Sequence, residues 1–228
     1  MNSTNKLPTA AQKETEQNTE RKIQGGLYLV LDPRMGKEYI LPRLEAALEG
    51  GVDVVQLWNY WSTVDDQADL IVEVCRRVHR YGKPVLINEN WELLKTTPLD
   101  GVHFDTIPVN WDHIVQSLKG PFISGLTCTN NPEQIQWAID RQLSYISFCS
   151  MFPSDSVAKC DIVDPTIIRA TRTRTPMLMF GSGGVTPAHV PTLMALGLNG
   201  VAVISAIMKA DDPRAAAVAF KKSLSIKI

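Results

Sequence analysis

From Gly26 onward the chain alternates short apolar runs with longer stretches whose apolar residues recur every three or four positions. Residues 27–31 (Leu-Tyr-Leu-Val-Leu) read as a buried strand. Residues 39–48 place Leu41, Leu44, Ala47 and Leu48 on one helical face, and Gly50-Gly51 ends that helix. The cycle repeats. Strands are expected at 52–57, 84–87, 101–104, 122–125, 145–148, 177–180 and 200–204. Helices are expected at 65–81, 91–95, 111–118, 132–141, 165–171, from Pro187, after Ser205, and at 213–224. Short, nearly continuous apolar runs are what parallel strands covered on both faces look like. Eight strand–helix units with right-handed crossovers close naturally into a single-domain TIM (β/α)8 barrel; an open doubly wound sheet is the alternative.

The first two dozen residues break this pattern. They are polar, mixed in charge and poor in groups that pack, so residues 1–24 read as an N-terminal extension, helical over 8–21, and 25–228 as the barrel. The chain shows neither an apolar signal-peptide core nor a run long enough to span a membrane. A net charge of −1 gives no electrostatic footprint for nucleic acid or an anionic membrane. Cys75, Cys128, Cys149 and Cys160 are scattered without a C-x-x-C pair, as expected of free thiols in a reducing, cytoplasmic setting.

Chemistry in such barrels gathers at the C-terminal ends of the strands. Two of those ends are alike. Residues 177–187 run from an apolar strand through Gly181-Ser182-Gly183-Gly184 to Thr186, an N-cap residue, and Pro187, which suits a first turn. Residues 200–207 run from a strand through Ser205 into a helix. Glycines let a backbone approach a ligand and leave amides facing an anion, so the two corners together predict a phosphate cup; a tight strand-to-helix turn would also use them. The other ends carry Gln56, Trp58 and Tyr60, then Asn88 and Glu89, then His103 and Asp105, then Thr127 and Cys128, then Ser154, Ser156 and Lys159. This mixture suits a small phosphorylated heterocycle. A homodimer is compatible with the sequence and not required by it.

In order and spacing, these features resemble the thiamine phosphate synthase and TenI family. The likeness runs from Gly26 to Ile228. It is carried by Gly-Leu-Tyr-Leu-Val at 26–30, Gly50-Gly51-Val52 with Val55-Gln56-Leu57, Ile87-Asn88, Asp100-Gly101-Val102-His103, Phe152-Pro153 leading to Lys159, Ser182-Gly183-Gly184-Val185 and Val203-Ile204-Ser205-Ala206-Ile207. The resemblance implies thiamine biosynthesis, in which hydroxymethylpyrimidine diphosphate and thiazole phosphate are joined to thiamine phosphate with release of diphosphate. It implies Mg²⁺ on the diphosphate and a pyrimidine carbocation formed before the thiazole nitrogen attacks. It assigns the thiazole phosphate to Gly183, Gly184, Ile204 and Ser205, with Ser154 and Ser156 near the family's paired threonines. Lys159 and Thr127 become catalytic positions, and Gln56, Trp58, Tyr60, Asn88 and His103 the pyrimidine and diphosphate side.

The diphosphate arm departs from the family. Its Q-L-R-E-K run is Gln56-Leu57-Trp58-Asn59-Tyr60 here, with aromatics in place of both bases. One magnesium aspartate becomes Glu89. The other becomes Pro108, so Asp105 is the remaining candidate partner of Glu89 for the metal. Removing one oriented charge-stabilising donor typically lowers rate ~10²–10³-fold, which predicts impaired synthase activity. A TenI-like tautomerase is an alternative, although the family's strand-five histidine is Thr129 here. A third reading is a non-catalytic binder of a phosphorylated thiazole or thiamine, with Trp58 and Tyr60 stacking on its ring.

Overall fold

A computed structural model describes residues 21–61, 65–153 and 162–226. Its parallel strands are β1 (Gly26–Leu31), β2 (Val54–Leu57), β3 (Val85–Asn88), β4 (Gly101–Phe104), β5 (Ile123–Cys128), β6 (Tyr145–Phe148), β7 (Leu178–Ser182) and β8 (Gly200–Val203). Each pairs with the next, and β8 pairs with β1 through Leu29↔Val203. That last ladder closes the barrel and excludes the open sheet. Around it run α1 (Lys37–Glu49), α2 (Asp65–His79), α3 (Trp111–Leu118), α4 (Pro132–Asp140), α5 (Pro165–Arg174), α6 (Val190–Ala195), α7 (Ser205–Met208) and α8 (Pro213–Leu224).

Alternation along each strand divides the core in two. Leu27, Leu29, Leu31, Val55 and Leu57 face the helices. Tyr28, Val30, Val54, Leu86, Ile123, Tyr145, Phe180 and Ala202 fill the bore. Three rings meet edge-on there, Tyr28 with Phe180 at 5.4 Å, Tyr145 with Phe180 at 5.5 Å and Tyr28 with Tyr145 at 5.8 Å. Neighbouring strands make room for them. A Cβ on Gly125 would lie 2.1 Å from Cζ of Tyr145, and one on Gly200 would lie 2.6 Å from Cε1 of Phe180. Glycine at these two places is a packing requirement.

The N-terminal rim is closed by a repeated device. Asp53, Asp100, Ser144 and Asn199 each stand one residue before an even-numbered strand. Their side chains accept the amides of Leu27 (2.9 Å), Val85 (2.8 Å), Ser124 (3.1 Å) and Met179 (3.0 Å) on the odd-numbered strand alongside.

Several boundaries differ from the sequence reading. Strand β5 continues through Thr127 and Cys128, which pair with Ser147 and Phe148. Residues 91–95 and 187–189 are 3-10 turns, and α6 starts only at Val190. The barrel also takes in the end of the segment read as an extension. Ile23 packs against the bore cluster, and Arg21 Nε donates to Asp100 Oδ1 at 2.8 Å. The rest of the helix expected at 8–21 lies outside the described residues. Among the described residues no helix is long and apolar enough to cross a membrane.

Candidate functional site

Three groups of residues occupy the C-terminal rim. The first is the β7/β8 corner. The register Ser182↔Ala202 sets the two strand ends side by side. Gly183 and Gly184 have φ of +88° and +63°. A Cβ on Gly183 would sit 2.8 Å from the Ser150 backbone, and one on Gly184 2.7 Å from the Pro153 carbonyl. The β6 loop causes this crowding: Met151 N donates to Ser182 O at 2.9 Å and Phe152 N to Gly183 O at 3.1 Å. These bonds use the carbonyls of the glycine turn and leave its amides to face elsewhere. Among the described residues, none accepts from the amides of Gly183, Gly184, Ser205 or Ala206. Ile204, with φ −121° and ψ −84°, turns the chain from β8 into α7.

The second group is a hydrogen-bonded chain across the top of the bore. Tyr28 Oη donates to Gln56 Oε1 at 2.6 Å and lies 2.8 Å from Tyr145 Oη. Tyr145 Oη lies 2.8 Å from His103 Nδ1, and His103 Nε2 lies 2.8 Å from Thr127 Oγ1. One end fixes every proton. Because Tyr28 gives its proton to Gln56, Tyr145 donates to Tyr28, His103 donates from Nδ1, and Thr127 donates to Nε2. His103 is buried, and burial pushes its pKa down to about 4. It is therefore neutral at pH 7, with both ring nitrogens engaged. It orients Thr127, whose free lone pairs face away from the ring.

The third group is acidic. The register Asn88↔His103 brings the ends of β3 and β4 together. Glu89 adopts the left-handed region at φ +60°, and its Oε1 accepts Asp105 N at 2.5 Å. Asn88 Nδ2 donates to Asp105 Oδ1 at 3.0 Å. Asp105 therefore lies against Glu89, with its carboxylate held by Asn88. Burial in the barrel mouth raises the Glu89 pKa, and the Asp105 charge adds to that rise. Burial likewise raises Asp105, against the Asn88 hydrogen bond. Among the described residues neither carboxylate has a cationic partner. Pro108 lies farther along the β4 loop, half-buried.

Between the first and third groups, Trp58 packs on the bore cluster, and Tyr60 meets it edge-on at 5.3 Å. The Arg34 guanidinium lies over the Tyr60 ring at 4.7 Å. Trp111 is elsewhere, in a cluster with Phe104, Phe122 and Trp137 among the helices. Cys128 is buried and its thiol is pushed up to about 12 by burial, so it offers no base. Ser154, Ser156 and Lys159 lie outside the described residues.

The structure thus links Gln56, His103 and Thr127 in one hydrogen-bonded chain and Asn88, Glu89 and Asp105 in another group, with the glycine corner at the same end of the barrel. The sequence reading missed Tyr28, Tyr145 and Arg34. The two tyrosines read as ordinary strand hydrophobes. The available signal was period two: Tyr28 shares its strand face with Val30, and Tyr145 with Ser147, in line with Gln56, His103 and Thr127.

Comparison with known proteins follows the same outline. The family model described as thiamine monophosphate synthase matches residues 27–207. A thiamine-phosphate synthase of Natronomonas pharaonis is 32% identical over 199 residues, covering 82% of this chain and 89% of its own. One of Xylella fastidiosa is 29% identical over 205 residues, covering 88% and 85%. Among solved structures, thiamine phosphate pyrophosphorylase of Pyrococcus furiosus superposes with a TM-score of 0.77 at 19% identity, covering 90% and 96%. At that identity the likeness shows the fold.

Proposed function

The chain belongs to the thiamine monophosphate synthase family, and we propose that it binds a thiazole monophosphate at the β7/β8 corner and performs the family's coupling with a weakened diphosphate arm. The observation that carries this reading is the corner itself. Its two strand ends adjoin, its glycines are crowded from behind, and no described residue claims its amides. Backbone amides and the start of a helix are a natural seat for a phosphoryl group. Gly183, Gly184, Ile204 and Ser205 would form that seat. Ser154, Ser156 and Lys159 join it by family resemblance alone.

The pyrimidine would lie toward Gln56, Asn88, His103 and Thr127. The neutral His103 takes no proton from it and instead holds the Thr127 hydroxyl in one orientation. Trp58, with Tyr60 edge-on to it, would stand beside a ring that becomes cationic as diphosphate leaves. The family implies Mg²⁺. Glu89 and Asp105 fit it, being hard oxygen donors linked where Glu89 Oε1 accepts the Asp105 amide, with no cationic partner among the described residues and with ionisation opposed by their surroundings. Those two residues would hold the ion, which when bound supplies charge neutralisation to the departing diphosphate. Free thiols at Cys75, Cys128 and Cys149 suit a cytoplasmic enzyme.

A second reading is a binder without turnover, favoured by the aromatic pair standing where the family has bases. Calorimetry separates the two. Thiazole phosphate alone should bind, and adding pyrimidine diphosphate with Mg²⁺ should release diphosphate slowly. Tight binding without any release supports the second reading. The double variant Trp58→Arg with Tyr60→Lys should increase release about 10-fold or more, the low end of what one oriented cationic donor contributes. Failure of the variant to bind diphosphate better than wild type counts against the assignment of strand β2.

A further inference from the structure

The β2 end is aromatic, yet the rim beside it is not without a cation. Arg34 stands on the 3-10 turn Pro33–Met35, directly after β1. Strands β1 and β2 are in register at Leu31↔Leu57, and Trp58 N donates to Leu31 O at 2.9 Å, so the two loops leave the barrel together. The guanidinium reaches across to the Tyr60 ring. Asp32 grips it from below, accepting from Nε at 2.9 Å and from Nη2 at 2.7 Å. The bond to Arg34 holds the Asp32 carboxyl below the usual range, outweighing burial, so the carboxylate is ionised at neutral pH. Among the described residues, none accepts a hydrogen bond from Nη1.

We propose that Arg34 binds the diphosphate end of the ligand, supplying from β1 the positive charge that β2 has lost. This rests on the reading of the β7/β8 corner as the thiazole phosphate seat. In the closed order β7-β8-β1-β2-β3-β4, Arg34 falls between that corner and the Glu89–Asp105 pair. The corner and the acidic pair face each other across the mouth, and a second phosphoryl group that leans to the β1 and β2 side meets Arg34. Asp32 and Tyr60 together fix the plane of the guanidinium, which leaves Nη1 as a directed donor. Asp32 cancels much of the charge, but Lys209 at the end of α7 also acts on Asp32, and the three groups carry a net charge of +1. The cluster therefore attracts an anion weakly and orients it well. An ordinary surface ion pair would leave anion binding unchanged on removal.

The test uses the full chain with two probes, inorganic diphosphate in the presence of Mg²⁺ and thiazole phosphate, each followed by calorimetry. Arg34 is exposed, and circular dichroism checks that the variants fold. Arg34→Met should weaken diphosphate binding about 10-fold, as expected for losing one partly compensated charge-assisted donor, and Arg34→Lys should recover only part of it. Thiazole phosphate affinity should stay within about 2-fold of wild type in both, since no contact to the corner is removed. The proposal is overturned if Arg34→Met binds diphosphate like wild type, or if wild type binds thiazole phosphate but no diphosphate. If wild type binds neither probe, the reading of the corner itself fails.

Discussion

Asp53 at the N-terminal rim and Asp105 at the C-terminal rim are the same side chain in opposite circumstances. Burial works against ionisation of Asp53, but Lys221 at 2.5 Å, the Leu27 amide and Lys83 at 3.0 Å outweigh it and hold its pKa below the usual range. Asp105 meets the same opposition with one amide donor from Asn88, and its pKa rises. The backbone repeats the contrast. At the lower rim four odd-strand amides are taken by side chains from the strand alongside; at the upper rim the amides of the β7/β8 corner have no described acceptor. One end engages its polar groups within the fold, while at the other the corner amides have no partner among the described residues.

Removing a lower-rim partner should have the largest effect. Asp53→Ala strips the Leu27 amide and two lysines of their acceptor and should cost about 3 kcal/mol in urea unfolding at pH 7. Its folded pKa is depressed, so the contribution is full above the unfolded value near ~3.9 and is lost as pH falls through the lower folded value. The penalty of the variant should shrink accordingly in acid. Ligand affinity of the folded protein should not change.

An upper-rim backbone change should trade the two readouts. Gly184→Ala places a Cβ against the Phe152 and Pro153 carbonyls at a positive φ. We expect a stability loss of about 2 kcal/mol together with loss of the thiazole phosphate heat in calorimetry. Retained binding would break the contrast between the rims.

The smallest effect has the opposite sign. Asp105→Asn should raise Tm at pH 7, because a raised folded pKa makes the ionised carboxyl a net cost. That cost grows as pH rises from the unfolded value through the folded one, so the gain should vanish near pH 4. Mg²⁺ should raise Tm of wild type and much less that of the variant, through mass action on the folded state. An equal Mg²⁺ shift in both would remove Asp105 from the metal assignment.

The barrel was legible because parallel strands leave apolar runs that need no partner to be recognised. Element edges were less so. Thr127 and Cys128 are strand only because Ser147 and Phe148 lie opposite, and the α-helix begins only at Val190 because Pro191 has no N–H to give to Pro187 O. In the site, the glycine corner announced itself through backbone needs that glycine alone meets. The chain from Gln56 to Thr127 did not, since its middle members, Tyr28 and Tyr145, look apolar in a strand and become polar only when two oxygens meet 2.8 Å apart. Arg34 was hidden for a similar reason: its neighbour Tyr60 belongs to another strand's loop. Asp105 stood three residues from the expected ligand position, and its bonds to Glu89 and Asn88 on the neighbouring strand end show only in three dimensions.

The four side-chain locks below the barrel join β1 to β2, β3 to β4, β5 to β6 and β7 to β8. They divide the cylinder into quarters, each with its own internal fastener. A circular permutant opened between quarters keeps all four fasteners intact, whereas one opened within a quarter separates a fastener from its amide in sequence. Two half-chains split after β4 would each carry a pair of complete quarters into reassembly.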